Sequence, residues 1–290
     1  MITSGSNPRI AQLRALHTPK GREAAGMFLI EGRRLLEAAF EARVTPRLII
    51  YDPAALERTV EGRRLQERIY EARAAGAEAL EATPPAIERA SDTRTPQGVV
   101  GAVALADLAP ERTRARRRGR FRPLLLALDA LSDPGNMGTI LRSALAADVD
   151  EALLGPECAD PFAPKVVRSG AGAHFHLPIH HGLSWTEIAG RFAGAPVAEQ
   201  VLVAEASGRV SYDEVDLTRR TALIIGNEAR GVSRQAAALA TERISIPMWN
   251  KVESLNAAIA ASVILFEAAR QRRRHERASA TTRAPSESDS

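Results

Sequence analysis

The sequence predicts an α/β protein whose larger part is built on a mostly parallel sheet, preceded by a smaller α/β domain. Three observations carry that expectation. Apolar runs alternate with amphipathic stretches along the chain, as strand–helix repetition requires. The run Leu124-Leu125-Leu126-Ala127-Leu128 is apolar at every position, the pattern of a strand buried on both faces. Loops loaded with Gly, Asn and Glu follow apolar runs, and in open α/β sheets ligands bind beyond the carboxyl ends of strands. With 290 residues, 45% of them apolar, the chain can form one large or two medium domains with real cores.

Taken in order, residues 9–20 read as a short basic helix ended by Thr18-Pro19. Phe28-Leu29-Ile30 reads as a strand, and Glu31-Gly32 opens a helix from Arg33 to Ala42 with Leu35, Leu36, Ala39 and Phe40 on one face. Arg47 to Tyr51 is a strand, 61–75 a charged helix, and Gly98 to Leu105 a further strand. This first domain is expected to span 1–106. A linker over 107–122 follows. A second domain over 123–274 begins with the strand ending at Asp129, then a turn, then a helix from about Met137 to Ala147. Ala152 to Leu154, Val197 to Val203 and Ala222 to Ile225 are its next strands, and a last helix runs from Ser254 to Gln271. The polar stretch 275–290 reads as a disordered tail.

Charge narrows the function classes. The formal net charge is only +4, but Glu111 to Arg122 holds seven Arg and one Glu, a local charge of +6. A second basic run covers Arg270 to Arg277. Such clusters attract polyanions. Aromatic residues make up only 4%, too few for prominent base-stacking platforms. The lone Cys158 excludes an intramolecular disulfide and reads as a packing residue. No apolar signal region opens the chain and no run is long enough for a membrane span, so the expectation is a cytoplasmic protein.

Three loops could carry chemistry. In the first, Asp129 to Arg142, Gly135 and Gly138 permit close backbone approach, Asn136 can cap the helix, and Arg142 follows Gly138 by four residues. In the second, Gly226-Asn227-Glu228-Ala229-Arg230-Gly231, an apolar strand runs into a Gly-bracketed acidic turn. In the third, Ile244 to Asn256, Pro247 limits pairing beyond Ile246, and Ser254, Leu255 and Asn256 start a helix whose first amides are free. Familiar alternatives fail: the chain has no G-x-x-x-x-G-K-[ST] loop and no G-x-S-x-G elbow, and Gly170-Ala171-Gly172 lacks the third glycine of a dinucleotide fingerprint. His174, His176, His180 and His181 cluster without the carboxylate or cysteine that a metal site needs, so no metal is expected.

The segment Asp133-Pro134-Gly135-Asn136, then Gly138, then Ile140-Leu141-Arg142 resembles the first motif of the SpoU/TrmH family of RNA ribose 2′-O-methyltransferases, within the SPOUT superfamily. Gly226 to Gly231 is similar to its second motif, and Ile244 to Met248 with Glu253 to Asn256 to its third, while Trp249, Asn250 and Lys251 stand where the family varies. Phe28 to Arg33 and Ser91 to Gly98 resemble the accessory substrate-binding domain of such enzymes, which has the fold of a ribosomal protein of the large subunit. The resemblance implies a trefoil-knotted catalytic domain, an obligate homodimer and S-adenosylmethionine as methyl donor, held by Gly226, Ile246 and Leu255. It also implies Arg142 as the central catalytic residue, with Asn136 orienting it or the ribose, Glu228 ordering the second motif, and Ser254 and Asn256 positioning substrate. The expected substrate is 23S ribosomal RNA. A transfer-RNA methyltransferase and a non-catalytic RNA-binding homologue are the alternatives.

Overall fold

A computed structural model of the chain describes residues 1–108, 122–194, 198–250 and 253–283, with side chains to 279. Most of the Arg-rich run, Lys251 and the end of the tail therefore lie outside the described residues. What is described groups into two compact units: 1–108 with Asp133–Arg142 and Ala159–His176, and 122–132 with Ser143–Cys158 and 177–283. The units do not follow a single cut at 107–122, because two later segments complete the first unit's core. Phe162, Val167 and Phe175 pack in one apolar cluster with Phe28, Ile30 and Leu36.

The first unit holds strands β1 (Met27–Glu31), β2 (Leu48–Tyr51), β3 (Glu78–Glu81) and β4 (Val99–Ala104), in the order β1-β4-β2-β3. β4 runs antiparallel to β1 and β2, while β2 and β3 are parallel. Side-chain alternation divides the apolar residues between two faces. Phe28, Ile30, Ile49 and Tyr51 join one core and Leu29, Leu48, Ile50 and Val100 the other. Around the sheet lie helices α1 (Pro8–Ala15), α2 (Pro19–Ala25), α3 (Arg33–Glu41), α4 (Pro53–Glu57), α5 (Val60–Ala74) and α6 (Pro84–Ala90). Pro19 thus opens a second helix instead of closing a single one over 9–20. It occupies the first helical position, where no amide partner is needed, and the Thr18 hydroxyl caps the turn by accepting from Gly21 N. Arg22, only 4% exposed, donates through Nε to Asp160 at 2.9 Å and through Nη1 to Leu16 O at 2.8 Å.

Two helices follow the first motif: α7 (Pro134–Ala146) and α8 (Pro164–Gly170). Gly138 of α7 lies hard against α8. A Cβ there would fall 1.9 Å from Ser169 Oγ and 2.6 Å from Val166 O. Residues Ala173–Phe175 form a 3₁₀ turn. His174 packs against both Phe28 and Phe162 and is 3% exposed. Its Nε2 is 2.7 Å from Pro161 O, so Nε2 carries the proton, and Nδ1 has no hydrogen-bond partner among the described residues. Burial lowers its pKa to about 4.

In the second unit, β5 (Leu124–Leu128), β6 (Glu151–Leu154), β7 (Ile179–His180), β8 (Gln200–Ala204), β9 (Val210–Ser211), β10 (Thr221–Ile225) and β11 (Glu242–Ser245) form a sheet in the order β7-β6-β5-β10-β8-β11-β9. Every pairing among these described strands is parallel. Helices α9 (Trp185–Ala193), α10 (Arg234–Ala237) and α11 (Ala257–Arg283) accompany it. Where a disordered tail is expected from 275, α11 continues to Arg283. The stretch 270–283 contains neither Gly nor Pro, and Arg272 ties it down by donating to the carbonyls of Leu217, Arg122 and Arg219 at 2.7–2.9 Å.

Two stability outcomes follow from this packing. The unfolded chain takes up a proton on His174 below about pH 6.5 while the folded chain does not until about pH 4, so this group's contribution is intact above 6.5 and is lost as pH falls through that window. The loss should reach about 2 kcal/mol at pH 5, and urea unfolding of a His174→Gln variant should show a correspondingly flatter pH dependence. Gly138→Ala should destabilise by roughly 1–3 kcal/mol through overpacking against α8. Gly190→Ala, where a Cβ meets nothing within 4 Å, should instead be neutral or stabilising by up to about 1 kcal/mol in the same denaturation series.

Candidate active site

Parallel pairing brings the carboxyl ends of β10, β8 and β11 side by side, and a cleft of about 410 Å³ opens there within the second unit. Gly226, Glu228, Ile246, Ser254 and Leu255 all line it, together with Glu205, Arg230, Met248 and Ile264. The loop after β10 folds back on itself: Asn227 N donates to Gly231 O at 3.0 Å and Gly231 N to Asn227 O at 2.9 Å. This closure is why position 226 needs glycine. A Cβ there would lie 2.6 Å from the Gly231 carbonyl.

Two residues that the sequence reading did not single out as site residues fix this loop. The Asn227 side chain accepts from Ala229 N (2.9 Å) and Arg230 N (3.1 Å) and donates to Ala130 O (3.0 Å), tying the β10 loop to the end of β5. Asp129, 2% exposed, accepts from Ser233 N through its carboxylate, and its own N–H donates to Ile225 O at 2.9 Å. Asn227 and Asp129 thus both help to order the second motif. Glu228 stands exposed at the rim of the cleft. The available signal was an Asn between glycine and acid at a strand end, and an Asp closing an all-apolar run.

On the opposite wall, Ile246 follows β11, and Ser254 and Leu255 lead into α11. Asn256 caps that helix: its Oδ1 accepts from Ala258 N at 2.9 Å and Ile259 N at 3.3 Å. Its neighbours Ser254, Leu255 and Ala257 line the cleft, whereas Asn256 itself does not. Capping at α7 also differs from expectation. Asp133 performs it, accepting from Asn136 N at 2.7 Å. Asn136, half-buried, and Arg142, exposed, both stand on α7 in the first unit, and neither lines the cleft. Cys158 donates to Leu128 O at 3.3 Å, and burial pushes its thiol up to about 11, so it remains protonated at neutral pH. Among the described residues no group of three or more His, Cys, Asp or Glu is placed to hold a metal, and no helix is long and apolar enough to cross a membrane.

The SpoU rRNA Methylase family matches residues 123–266, and the MRM3-like substrate binding domain matches residues 7–101. A 23S rRNA uridine-2′-O-methyltransferase of Streptomyces viridochromogenes is 34% identical, over 93% of this chain and 92% of its own length. The 23S rRNA guanosine-2′-O-methyltransferase RlmP of Bacillus subtilis is 29% identical, over 91% of this chain and 97% of its own. In three dimensions the chain is similar to the Streptomyces viridochromogenes SpoU methyltransferase AviRb, with a TM-score of 0.77 at 31% identity over 93% of this chain and 99% of that one. An AdoMet-bound rRNA methyltransferase from Sinorhizobium meliloti gives 0.75 at 30% identity over 94% and 97%. Motifs, sheet order and these likenesses converge: the chain belongs to the SpoU rRNA methylase family.

Proposed function

We propose that the protein transfers a methyl group from S-adenosylmethionine to a ribose 2′-hydroxyl of structured RNA, with 23S ribosomal RNA as its substrate. The observation that carries this reading is the cleft at the β10, β8 and β11 ends, where Gly226, Ile246 and Leu255 meet. Its residues fit the donor. The cleft falls in the size range of ligand pockets, and glycine at 226 lets the Gly231 backbone close against the end of β10, where a Cβ would collide. Ile246, Leu255, Met248 and Ile264 offer apolar walls for a flat ring.

When bound, the donor supplies a methyl already activated by its sulfonium. The task left to the protein is the acceptor, a hydroxyl that is a poor nucleophile until its proton is drawn away. Arg142 is assigned to the RNA. An arginine stays charged at any working pH, so its chemistry is to grip the adjacent phosphate and to stabilise the oxygen as negative charge develops. Asn136 orients that guanidinium or the ribose. Ser254 and Asn256 position substrate, Asn256 also capping α11, and Glu228 orders the second motif from the rim of the cleft. The domain over residues 7–101 holds the RNA backbone, and such contacts supply affinity more than sequence choice.

The finer architecture belongs to the same reading. A catalytic domain over 123–274 is knotted at the β10 and β11 loops, and the N-terminal domain over 1–106 has the fold of a large-subunit ribosomal protein. The enzyme acts as a homodimer in the cytoplasm. Support for a second copy comes from α11, where Ile259, Val263 and Phe266 form one stripe, with Ile259 55% and Phe266 46% exposed.

Labelled methyl transfer to total RNA, followed by size separation and nucleoside analysis, tests the whole reading. Label should appear in large-subunit RNA as a 2′-O-methylnucleoside; label confined to transfer RNA would overturn the substrate, and none at all the activity. Arg142→Ala should lower kcat by about 100-fold or more with donor affinity unchanged, as loss of a charge-stabilising donor does. Gly226→Val should weaken donor binding in calorimetry by more than about tenfold, because the added side chain collides with the Gly231 backbone, while RNA affinity stays level.

A further inference from the structure

The loop between α6 and β4 is organised around a buried carboxylate. Glu31, the last residue of β1, has a side chain only 4% exposed. It accepts from Asp92 N at 3.2 Å, from Thr93 N at 3.4 Å and from the Thr93 hydroxyl. Its remaining partner comes from outside this domain: Arg168 of α8, whose Nη1 lies 3.5 Å from Glu31 and whose Nη2 lies 2.8 Å from Asp92 Oδ2. One guanidinium therefore clasps both the strand end and the loop.

The same loop reaches the start of α3. Gln97 Oε1 accepts from Arg33 N at 3.3 Å, and the Arg33 side chain donates to Gln97 O at 3.4 Å and to Thr59 Oγ1 at 2.8 Å. Arg34 and Arg94 remain exposed on either side of this network. It is thus a rigid, hydrogen-bonded platform with cationic side chains, lying within the matched substrate-binding residues.

Arg168 also connects this platform to the residue assigned to the reaction. It belongs to α8, and α8 meets α7 with no spare room at Gly138, where Ser169 Oγ and Val166 O occupy the space a Cβ would need. α7 carries Arg142 four residues on. Every step of this path lies within the first compact unit. A tightly packed interior passes displacement on instead of absorbing it, so a shift of the loop relative to α8 is a shift relative to Arg142.

We propose that Glu31 is a positioning residue for methyl transfer: through Arg168 it sets where RNA held on the 91–98 loop lies against Arg142. The proposal rests on the RNA-methylating reading above. A misplacement of about 1 Å between substrate and catalytic group can cost on the order of 100-fold in rate. RNA affinity is spread over many phosphate contacts and depends far less on such a shift. Glu31→Gln keeps the size and an acceptor for the Thr93 donors but removes the charge that ties Arg168 to the strand end, leaving the guanidinium held by Asp92 of the loop alone.

The test uses the full chain with large-subunit RNA, below the measured melting temperature of each variant. Single-turnover methyl transfer is followed at saturating RNA and donor, beside RNA affinity by filter binding and donor affinity by calorimetry. Glu31→Gln and Arg168→Met should each slow transfer by about 10- to 100-fold. RNA affinity should change by less than about threefold, because phosphate contacts are retained. Donor affinity should not move. The double variant should be no slower than the slower single variant, since both remove one link. Arg168→Lys, which keeps the charge, should recover part of the rate and serves if Glu31→Gln does not fold. Weakened RNA binding with an unchanged saturating rate would overturn the proposal, as would additive effects in the double variant. Wild-type turnover with all variants unaffected would overturn it alone, whereas wild-type protein that methylates no RNA would remove the functional reading as well.

Discussion

Parallel pairing of β10 between β5 and β8 is the constraint from which the site follows. Five-residue strands in register, Thr221–Ile225 beside Leu124–Leu128 and Gln200–Ala204, end at the same level. Their exit loops then have nowhere to go but one edge of the sheet. The glycine at 226, the turn closed by Asn227 and Gly231, and the wall formed by Ile246 and Leu255 all depend on that common level. A one-residue slip of β10 would invert its side chains and withdraw Gly226 from the cleft together.

The framework was legible where local physics and tertiary context agree. Leu124–Leu128 and Thr221–Ile225 are apolar at nearly every position because both faces are covered, and no other element type suits so short a run as well. The alternation of Phe28, Leu29 and Ile30 was equally readable, although the sheet turned out to have cores on both sides. β3, Glu78–Glu81, was missed because charged residues flank its two apolar positions, and it is held by pairing with β2, a contact 30 residues away in sequence. The dipeptide Thr18-Pro19 suits the end of one helix and the start of the next, and only the capping hydroxyl decides for the start.

The site was legible as motifs and less so as roles. Gly226, Glu228, Ile246, Ser254 and Leu255 do share a cleft. The caps were misassigned because Asp133 and Asn136 both suit a helix start, and only the observed bond from Asn136 N to Asp133 separates them. Asp129 could not be ranked from sequence: its importance lies in an amide at Ser233, 104 residues away, which no periodicity reveals. The division into units was hidden for the same reason, since Phe162, Val167 and Phe175 read as ordinary apolar residues until their partner Phe28 is known.

The pair Arg22 and Asp160 has a consequence for how sequences of this kind can drift. Arg22 is nearly sealed from solvent, whereas its carboxylate partner is half-buried and also accepts from Phe162 N at 2.8 Å. Replacing Asp160 alone strands a buried guanidinium at a cost of about 3–5 kcal/mol, while replacing both with well-packed apolar residues can cost nothing. The two positions therefore form a one-way gate: a route from ion pair to apolar pair that changes Asp160 first crosses an unstable intermediate, and one that changes Arg22 first leaves a carboxylate that water and the Phe162 amide still serve.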